Sequence, residues 1–179
     1  MSNWELTEFV VPEDPDKDRF HDFALPLPLM HAIAELEFAY CTPIQSGVLP
    51  FSLADYDVTG QAQTGTGKTA AFLITILTRL WENPDQAERP RGSPRALVLA
   101  PTRELALQIE SDGRDLAKFM NMGVHCVVGG MDFQKQLDRI KSGPLDLLVA
   151  TPGRLLDFIN RRQINLRQVE VLVIDEADR

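Results

Sequence analysis

The chain has 179 residues, enough for one domain or slightly more, and 44% of them are apolar, enough for a core. No apolar run approaches the roughly 18–20 residues of a membrane span, and Met1-Ser2-Asn3-Trp4-Glu5 lacks the basic and apolar regions of a secretory signal. The net charge of −8 argues against a basic surface spread over the whole chain. Glu5, Glu8, Glu13, Asp14, Asp16 and Asp18 all precede Phe20, however, so the mildly acidic remainder leaves room for a local phosphate-binding face. Cys41 and Cys126 lie far apart with no metal-ligand spacing, and read as reduced, buried thiols of a cytoplasmic protein.

Residues 1–19 carry Pro12 and Pro15 among the acids and show little hydrophobic period, which predicts a disordered acidic tail. Trp4, Phe9, Val10 and Val11 within it either dock on a partner or belong to an inert terminus. Leu29, Ile33 and Leu36 recur at helical spacing and predict a helix over 20–40, with Pro28 in its first turn. A second helix is predicted from Thr42-Pro43, with Thr42 as N-cap and Pro43 in the first position, carrying Ile44, Val48, Leu49 and Leu53. Strands and helices then alternate. Strands are predicted over 57–60, 95–100, 124–128, 145–150 and 169–174, and helices over 68–81, 104–119, 132–141 and 154–160. The stretch 83–94 reads as a polar, proline-rich surface loop. The strands are continuous apolar runs, which suits burial on both faces of a parallel sheet. Five such strands with intervening helices define a doubly wound α/β fold.

Ala62-Gln63-Thr64-Gly65-Thr66-Gly67-Lys68-Thr69 follows the first predicted strand and reads as a phosphate-binding loop, with Ala62 in the position a strict pattern gives to glycine. Gly65 and Gly67 permit the backbone angles that turn successive N–H groups inward around an anion, and the following helix aims its partly positive N-terminus at the same spot. Lys68 would reach the β- and γ-phosphates, and the Thr69 hydroxyl would bind Mg²⁺. An ordinary Gly/Thr-rich turn is the bland alternative.

The other strand exits decide between these readings, because ligands of open α/β sheets bind beyond the carboxyl ends of the strands. Those ends carry Pro101-Thr102-Arg103-Glu104-Leu105, Gly129-Gly130, Thr151-Pro152-Gly153-Arg154 and Asp175-Glu176-Ala177-Asp178. Asp175, at the exit of a buried strand, can hold Mg²⁺ or a Mg²⁺-bound water, and Glu176 can orient and deprotonate a water that attacks the γ-phosphate. Thr102 and Thr151 suit N-capping, phosphate contact, or both. Arg103 and Arg154 suit a sugar–phosphate backbone or an exposed ion pair, and Gly130 suits either close backbone approach or a tight turn.

In this order and spacing AQTGTGKT, PTREL, GG, TPGR and DEAD resemble the N-terminal motifs of DEAD-box ATP-dependent RNA helicases. The similarity covers residues 20–179, and the lead-in Phe20-His21-Asp22-Phe23 and the stretch Tyr40-Cys41-Thr42-Pro43-Ile44-Gln45 are most similar to bacterial members of the RhlB type. The family's adenine-sensing element is an aromatic followed seventeen residues later by a nine-residue segment ending in Ile-Gln; Phe20 and residues 37–45 match it. The resemblance implies that Gln45 hydrogen-bonds the adenine edge and Phe20 stacks near the ring. It also implies that Thr102, Arg103, Gly130, Thr151 and Arg154 hold RNA backbone. Three positions depart from the pattern: Glu37 and Asp55 stand where glycine is usual, and Cys41 where proline is. Glu37 and Asp55 are therefore expected to sit in a positive-φ backbone.

The resemblance divides the chain into the tail 1–19, an adenine-sensing region 20–48, and part of the N-terminal RecA-like ATP-binding domain over 49–179. The fold class is thus expected to be a RecA-like P-loop α/β domain with a mainly parallel sheet flanked by helices, incomplete at its C-terminus. The family's Ser-Ala-Thr motif and second RecA-like domain do not occur in these residues, which implies a piece of a longer protein. The Ser-Ala-Thr strand lies between the loop strand and the DEAD strand in this class, so strands 57–60 and 169–174 are not expected to pair. The whole protein is expected to couple ATP hydrolysis, with Mg²⁺, to local RNA duplex unwinding. Its implied partners are RNA, the second RecA-like domain and proteins of RNA decay or ribosome assembly, with no membrane. Residues 1–179 alone are expected to be inactive. A non-catalytic nucleotide- or partner-binding module is the alternative, and a DNA helicase or other phosphate-loop ATPase is disfavoured by the adenine element and the DEAD spelling.

Overall fold

The computed structural model describes residues 4–63, 65–85 and 89–177. They fall into two compact units, Met1–Glu82 with Asp115–Met120, and Asn83–Arg114 with Asn121–Arg179. The boundary expected at residue 48 falls inside a helix rather than between units.

The first unit is built on three helices. The expected 20–40 helix resolves into a short 3-10 turn at Phe20–Asp22 and then α1, Leu27–Glu35, which starts only at Leu27 because Pro26 and Pro28 fix its entry. Helix α2, Pro43–Ser52, begins where Thr42-Pro43 predicts, and α3 runs over Lys68–Glu82. Leu29, Ile33, Leu49, Leu73, Ile76 and Leu77 are completely buried, each side chain contributing roughly 1.5–3 kcal/mol of apolar burial. Polar ties register α2 on α3: Ser52 and Thr75 share a hydroxyl hydrogen bond of 2.8 Å, and Arg79 pairs with Asp55 at 2.8 Å. Glu37 and Asp55 both adopt positive φ, +58° and +65°, as their places in glycine positions imply.

The acidic N-terminal stretch is the main correction in this unit. From Trp4 onward it is folded against α1 and the segment around Tyr40 rather than disordered. Its composition promises little burial, yet Val11 is buried and the Trp4 indole stacks on His31 with centroids 4.5 Å apart and planes 6° apart. His31 stacks in turn on Phe119 at 3.8 Å. Arg19 gathers the stretch, donating to the Asp22 carboxylate at 2.7 Å and to the Val11 carbonyl at 3.2 Å. That hydrogen bond holds the Asp22 carboxyl below the usual carboxylate range. These side-chain contacts join residues distant in sequence, which a local composition argument does not see. Met1 to Asn3 lie outside the described residues.

The second unit carries the sheet: β1 Ala96–Leu99, β2 Val124–Val127, β3 Leu147–Ala150 and β4 Val171–Ile174, all parallel, in the order β2-β3-β1-β4. Helices α4 Arg103–Leu116, α5 Phe133–Lys141 and α6 Pro152–Asn160 follow the first three strands. Val127, Leu148, Ala150, Ile140, Leu155 and Phe158 form one buried cluster joining the sheet to α5 and α6. β3 is buried throughout, whereas Leu172 and Ile174 of β4 are each 56% exposed.

Residues 57–60 form no strand, which corrects the expected five-stranded sheet. An extended segment becomes a strand only when a neighbour takes its backbone hydrogen bonds, and the ladders among the described residues are β2–β3, β3–β1 and β1–β4. Within the described residues β4 therefore pairs with β1 alone, in line with the expectation that 57–60 and 169–174 do not pair.

Both cysteines are free thiols, Cys126 buried and Cys41 partly so. Burial pushes each thiol up to about 12, with Asp18 and Asp22 adding to the effect at Cys41 and Glu110 at Cys126. They are thus poor nucleophiles. No described helix is long and apolar enough to cross a membrane.

Candidate nucleotide and nucleic-acid sites

The phosphate-loop segment belongs to the first unit. Gly65 and Gly67 take φ of +81° and +91°, so the two glycines are used as the motif requires. Lys68 opens α3, and its ammonium folds back to donate to the Ala62 carbonyl at 2.6 Å, while the Thr66 hydroxyl donates to the Gln63 carbonyl at 2.6 Å. Thr69 lies in the first turn of α3, where N–H groups are left over by the helix. Thr64 lies outside the described residues.

Gln45 reaches this loop directly. Its Nε2 donates to the Gly67 carbonyl at 3.1 Å, and its Oε1 accepts from the Thr42 N–H at 2.9 Å. Those two partners fix which end of the amide is oxygen. One lone pair and one N–H remain on the amide for a ligand. Gln45 is only 4% exposed. The contact also explains why residue 67 must be glycine: a Cβ there would stand 2.5 Å from Gln45 Nε2 and 2.8 Å from Thr42 Oγ1. Phe20 departs from the expectation of a ring stacked near adenine. It is 0% exposed, with its ring 6.3 Å from that of Phe38, and offers no open face.

The second unit brings together the loops that follow β1, β2 and β3. Arg103 donates to the Gly130 carbonyl at 3.3 Å, and Arg154 to the Met131 carbonyl at 3.0 Å. Gly130 has φ of +72°, and a Cβ would sit 3.1 Å from the Arg103 guanidinium. The Thr102 hydroxyl accepts from the Leu105 N–H at 3.2 Å, so it caps α4, and Thr151 is the N-cap residue of α6. Arg103, Gly130 and Arg154 thus form one cluster around a single turn. Asp175 follows β4 directly; its N–H donates to the Leu99 carbonyl at 2.9 Å, and its Oδ1 accepts from the Glu176 N–H at 3.0 Å. Glu176 is at φ +51°, a conformation that only a constrained turn imposes on a glutamate. Asp178 and Arg179 lie outside the described residues.

Gln136 escaped the sequence reading. It is 3% exposed, its Oε1 accepts from the Val128 N–H at 2.7 Å, and its Nε2 donates to the Met131 and Asp132 carbonyls at 3.3 and 3.2 Å. It holds the Gly129–Met131 turn from within. Its only signal was a glutamine one turn after Asp132, the N-cap of α5.

A parallel four-stranded sheet flanked by helices, with basic and glycine-rich loops at its strand ends, defines a domain of the RecA-like type. The DEAD/DEAH box helicase family matches residues 42–179, and the chain belongs to that family. It is 60% identical over 163 residues to the ATP-dependent RNA helicase RhlB of Pseudomonas syringae pv. tomato, covering 91% of this chain and 41% of that protein. To the RhlB of Pseudomonas aeruginosa it is 56% identical over 170 residues, covering 95% and 43%. Among solved structures it superposes on the ADP-bound RNA helicase Prp28 of Chaetomium thermophilum with a TM-score of 0.78 at 37% identity, covering 92% of this chain and 40% of that one. A hypothetical ATP-dependent RNA helicase of Sulfolobus tokodaii gives 0.73 at 39%, covering 84% and 41%. The chain therefore spans about two fifths of the length of these relatives.

Proposed function

We propose that these residues are the ATP- and RNA-binding N-terminal part of an ATP-dependent RNA helicase of the RhlB type, which couples ATP hydrolysis to local unwinding of RNA duplexes. The observation that carries this reading is the tie from Gln45 to Gly67. It attaches an amide suited to the adenine edge, which offers an N7 acceptor and an N6 donor, to the loop suited to phosphates. Lys68 would exchange the Ala62 carbonyl for phosphate oxygens. Glu176 would accept the proton of the attacking water. The Thr69 hydroxyl and the Asp175 carboxylate are hard oxygen donors that fit Mg²⁺, which usually takes one or two carboxylates together with substrate phosphates. When bound, that ion would neutralise charge on the transferring phosphoryl group. Ala62 to Gly67 would supply backbone N–H groups to the phosphates. Phe20, buried, would support the adenine segment from below.

Thr102, Arg103, Gly130, Thr151 and Arg154 would line the path of the RNA backbone, with Arg103 and Arg154 also shaping the turn they share. The whole protein's partners would be RNA and its second RecA-like domain, and RNA-decay or ribosome-assembly proteins beyond those. The cytoplasm is the corresponding compartment.

A steady-state ATPase assay with and without single-stranded RNA tests this. The full-length protein should show RNA-stimulated turnover that Glu176→Gln abolishes, while residues 1–179 alone should bind nucleotide without turnover. Full-length protein that binds ATP yet shows no turnover with any RNA would replace this reading with that of a non-catalytic nucleotide-binding module.

A further inference from the structure

The folded N-terminal stretch touches the chain at a telling place. It carries a 3-10 turn at Leu6–Glu8 and a tight turn closed by an isolated bridge between Asp14 and Lys17, and is anchored at its start by the Trp4–His31–Phe119 stack. Between those points Phe9 packs on His21 with ring centroids 4.8 Å apart, and His21 Nε2 donates to the Phe9 carbonyl at 2.7 Å. Its far end lies along residues 40–41. Arg19 forms an antiparallel bridge with Tyr40, and the Cys41 N–H donates to the Asp18 carbonyl at 2.8 Å. The Tyr40 hydroxyl donates to the Pro12 carbonyl at 2.9 Å, and the Lys17 ammonium sits 5.1 Å from the centre of the Tyr40 ring.

Thr42 comes next, and its N–H is the group that orients the Gln45 amide. A free backbone at 40–42 would let this N–H swing and the amide turn with it. We propose that residues 4–19 form a positioning strap for Gln45, holding the backbone at Tyr40 and Cys41 so that the amide faces both the Gly67 carbonyl and the base of a bound nucleotide. The strap thereby sets base selectivity without touching the nucleotide. This deepens the adenine reading of Gln45 and rests on it. Arg19 is the clamp: its guanidinium joins Val11, Glu13 and Asp22, so that cutting it to alanine frees the middle of the strap while leaving the helices intact.

The test uses the whole chain with Arg19→Ala, Trp4→Ala and Tyr40→Phe, each beside Gln45→Ala. Amide hydrogen exchange is read first, since it needs no ligand. Thr42 and Ser46 should exchange about three- to tenfold faster in the strap variants, the factor set by losing one hydrogen bond. The amides of β1 and β3 should be unchanged. Binding of fluorescent ATP and GTP analogues is read second. The ratio of ATP to GTP affinity should fall about three- to tenfold on the same basis, with tripolyphosphate affinity unchanged. Unaltered exchange at Thr42 and Ser46, or an unaltered ratio in variants whose Gln45→Ala counterpart loses it, overturns the strap. If Gln45→Ala itself leaves the ratio intact, the adenine reading fails, and the strap as a setter of base selectivity fails with it, whatever the exchange shows.

Discussion

Among the described residues each unit buries one glutamine, and the two do different work. Gln45, 4% exposed, links Thr42 to a carbonyl 22 residues further along the chain. Gln136, 3% exposed, ties Val128, Met131 and Asp132, all within eight residues of itself. Both amides are used as adaptors that match an N–H on one side and a carbonyl on the other. The long-range tie makes one segment report on another. The local tie shapes a single turn and is satisfied whatever happens elsewhere. A buried amide should therefore matter to ligand affinity where it couples segments, and mainly to stability where it does not.

The sharpest way to break this contrast is Gly67→Ala. The added Cβ meets Gln45 Nε2 at 2.5 Å in a backbone at φ +91°, so the tie and the loop cannot both survive. Chemical denaturation should show a loss of about 1–3 kcal/mol from backbone strain alone, and fluorescent ATP binding should disappear. Native-like stability with intact binding would mean that Gln45 does not grip the loop. The next effect separates the two glutamines. Gln136→Leu strands the buried Val128 N–H and should cost about 1–3 kcal/mol. Gln45→Leu should cost less, because the Gly67 carbonyl keeps its helical partner, the Ala71 N–H at 3.1 Å. Nucleotide affinity should fall only in the Gln45 variant. The reverse ranking in stability would undo the distinction between the coupling tie and the local one.

A smaller effect concerns the positive-φ positions that no amide supports. Glu37 is exposed at φ +58°, and Glu37→Gly should raise stability by about 1 kcal/mol by relieving the left-handed penalty. Asp55→Gly should gain less, since it gives up the pair with Arg79. Equal gains in urea midpoints would show that the ion pair contributes nothing, as exposed pairs often do not.

These residues also show what a sequence makes visible. The apolar runs of β1, β2 and β3 were legible because burial on both faces needs nothing but composition. Glu37 and Asp55 were legible as replacements of glycine in a known pattern, and Gln45 through its motif spacing. The segment 57–60 was not, since pairing depends on a neighbour that local sequence does not contain. The strap was not, since Trp4, Arg19 and Tyr40 find their partners at long range. Gln136 was not, because a polar residue on an amphipathic helix looks the same whether it faces water or a turn. The site was thus readable where a glycine or a lysine has one chemical use, and unreadable where an ordinary amide was recruited.

The smallest effect tests whether the turn held by Gln136 sits on a rigid strand. His125 lies on β2, three residues before Val128, with Nδ1 buried and unpartnered. Burial lowers its pKa from the ordinary 6.5, the Arg114 and Arg139 charges lower it further, and the Pro144 carbonyl and Asp146 oppose them. The folded chain then resists a proton that the unfolded chain accepts at 6.5. This contribution to stability is complete above 6.5 and is lost as the pH falls from there toward the depressed folded value. Urea midpoints taken downward from pH 8 should decline through that window in the parent chain and decline less in His125→Gln. Parallel profiles would mean that β2 opens enough to hydrate the ring before the unit unfolds. The turn above it would then owe its shape to Gln136 alone.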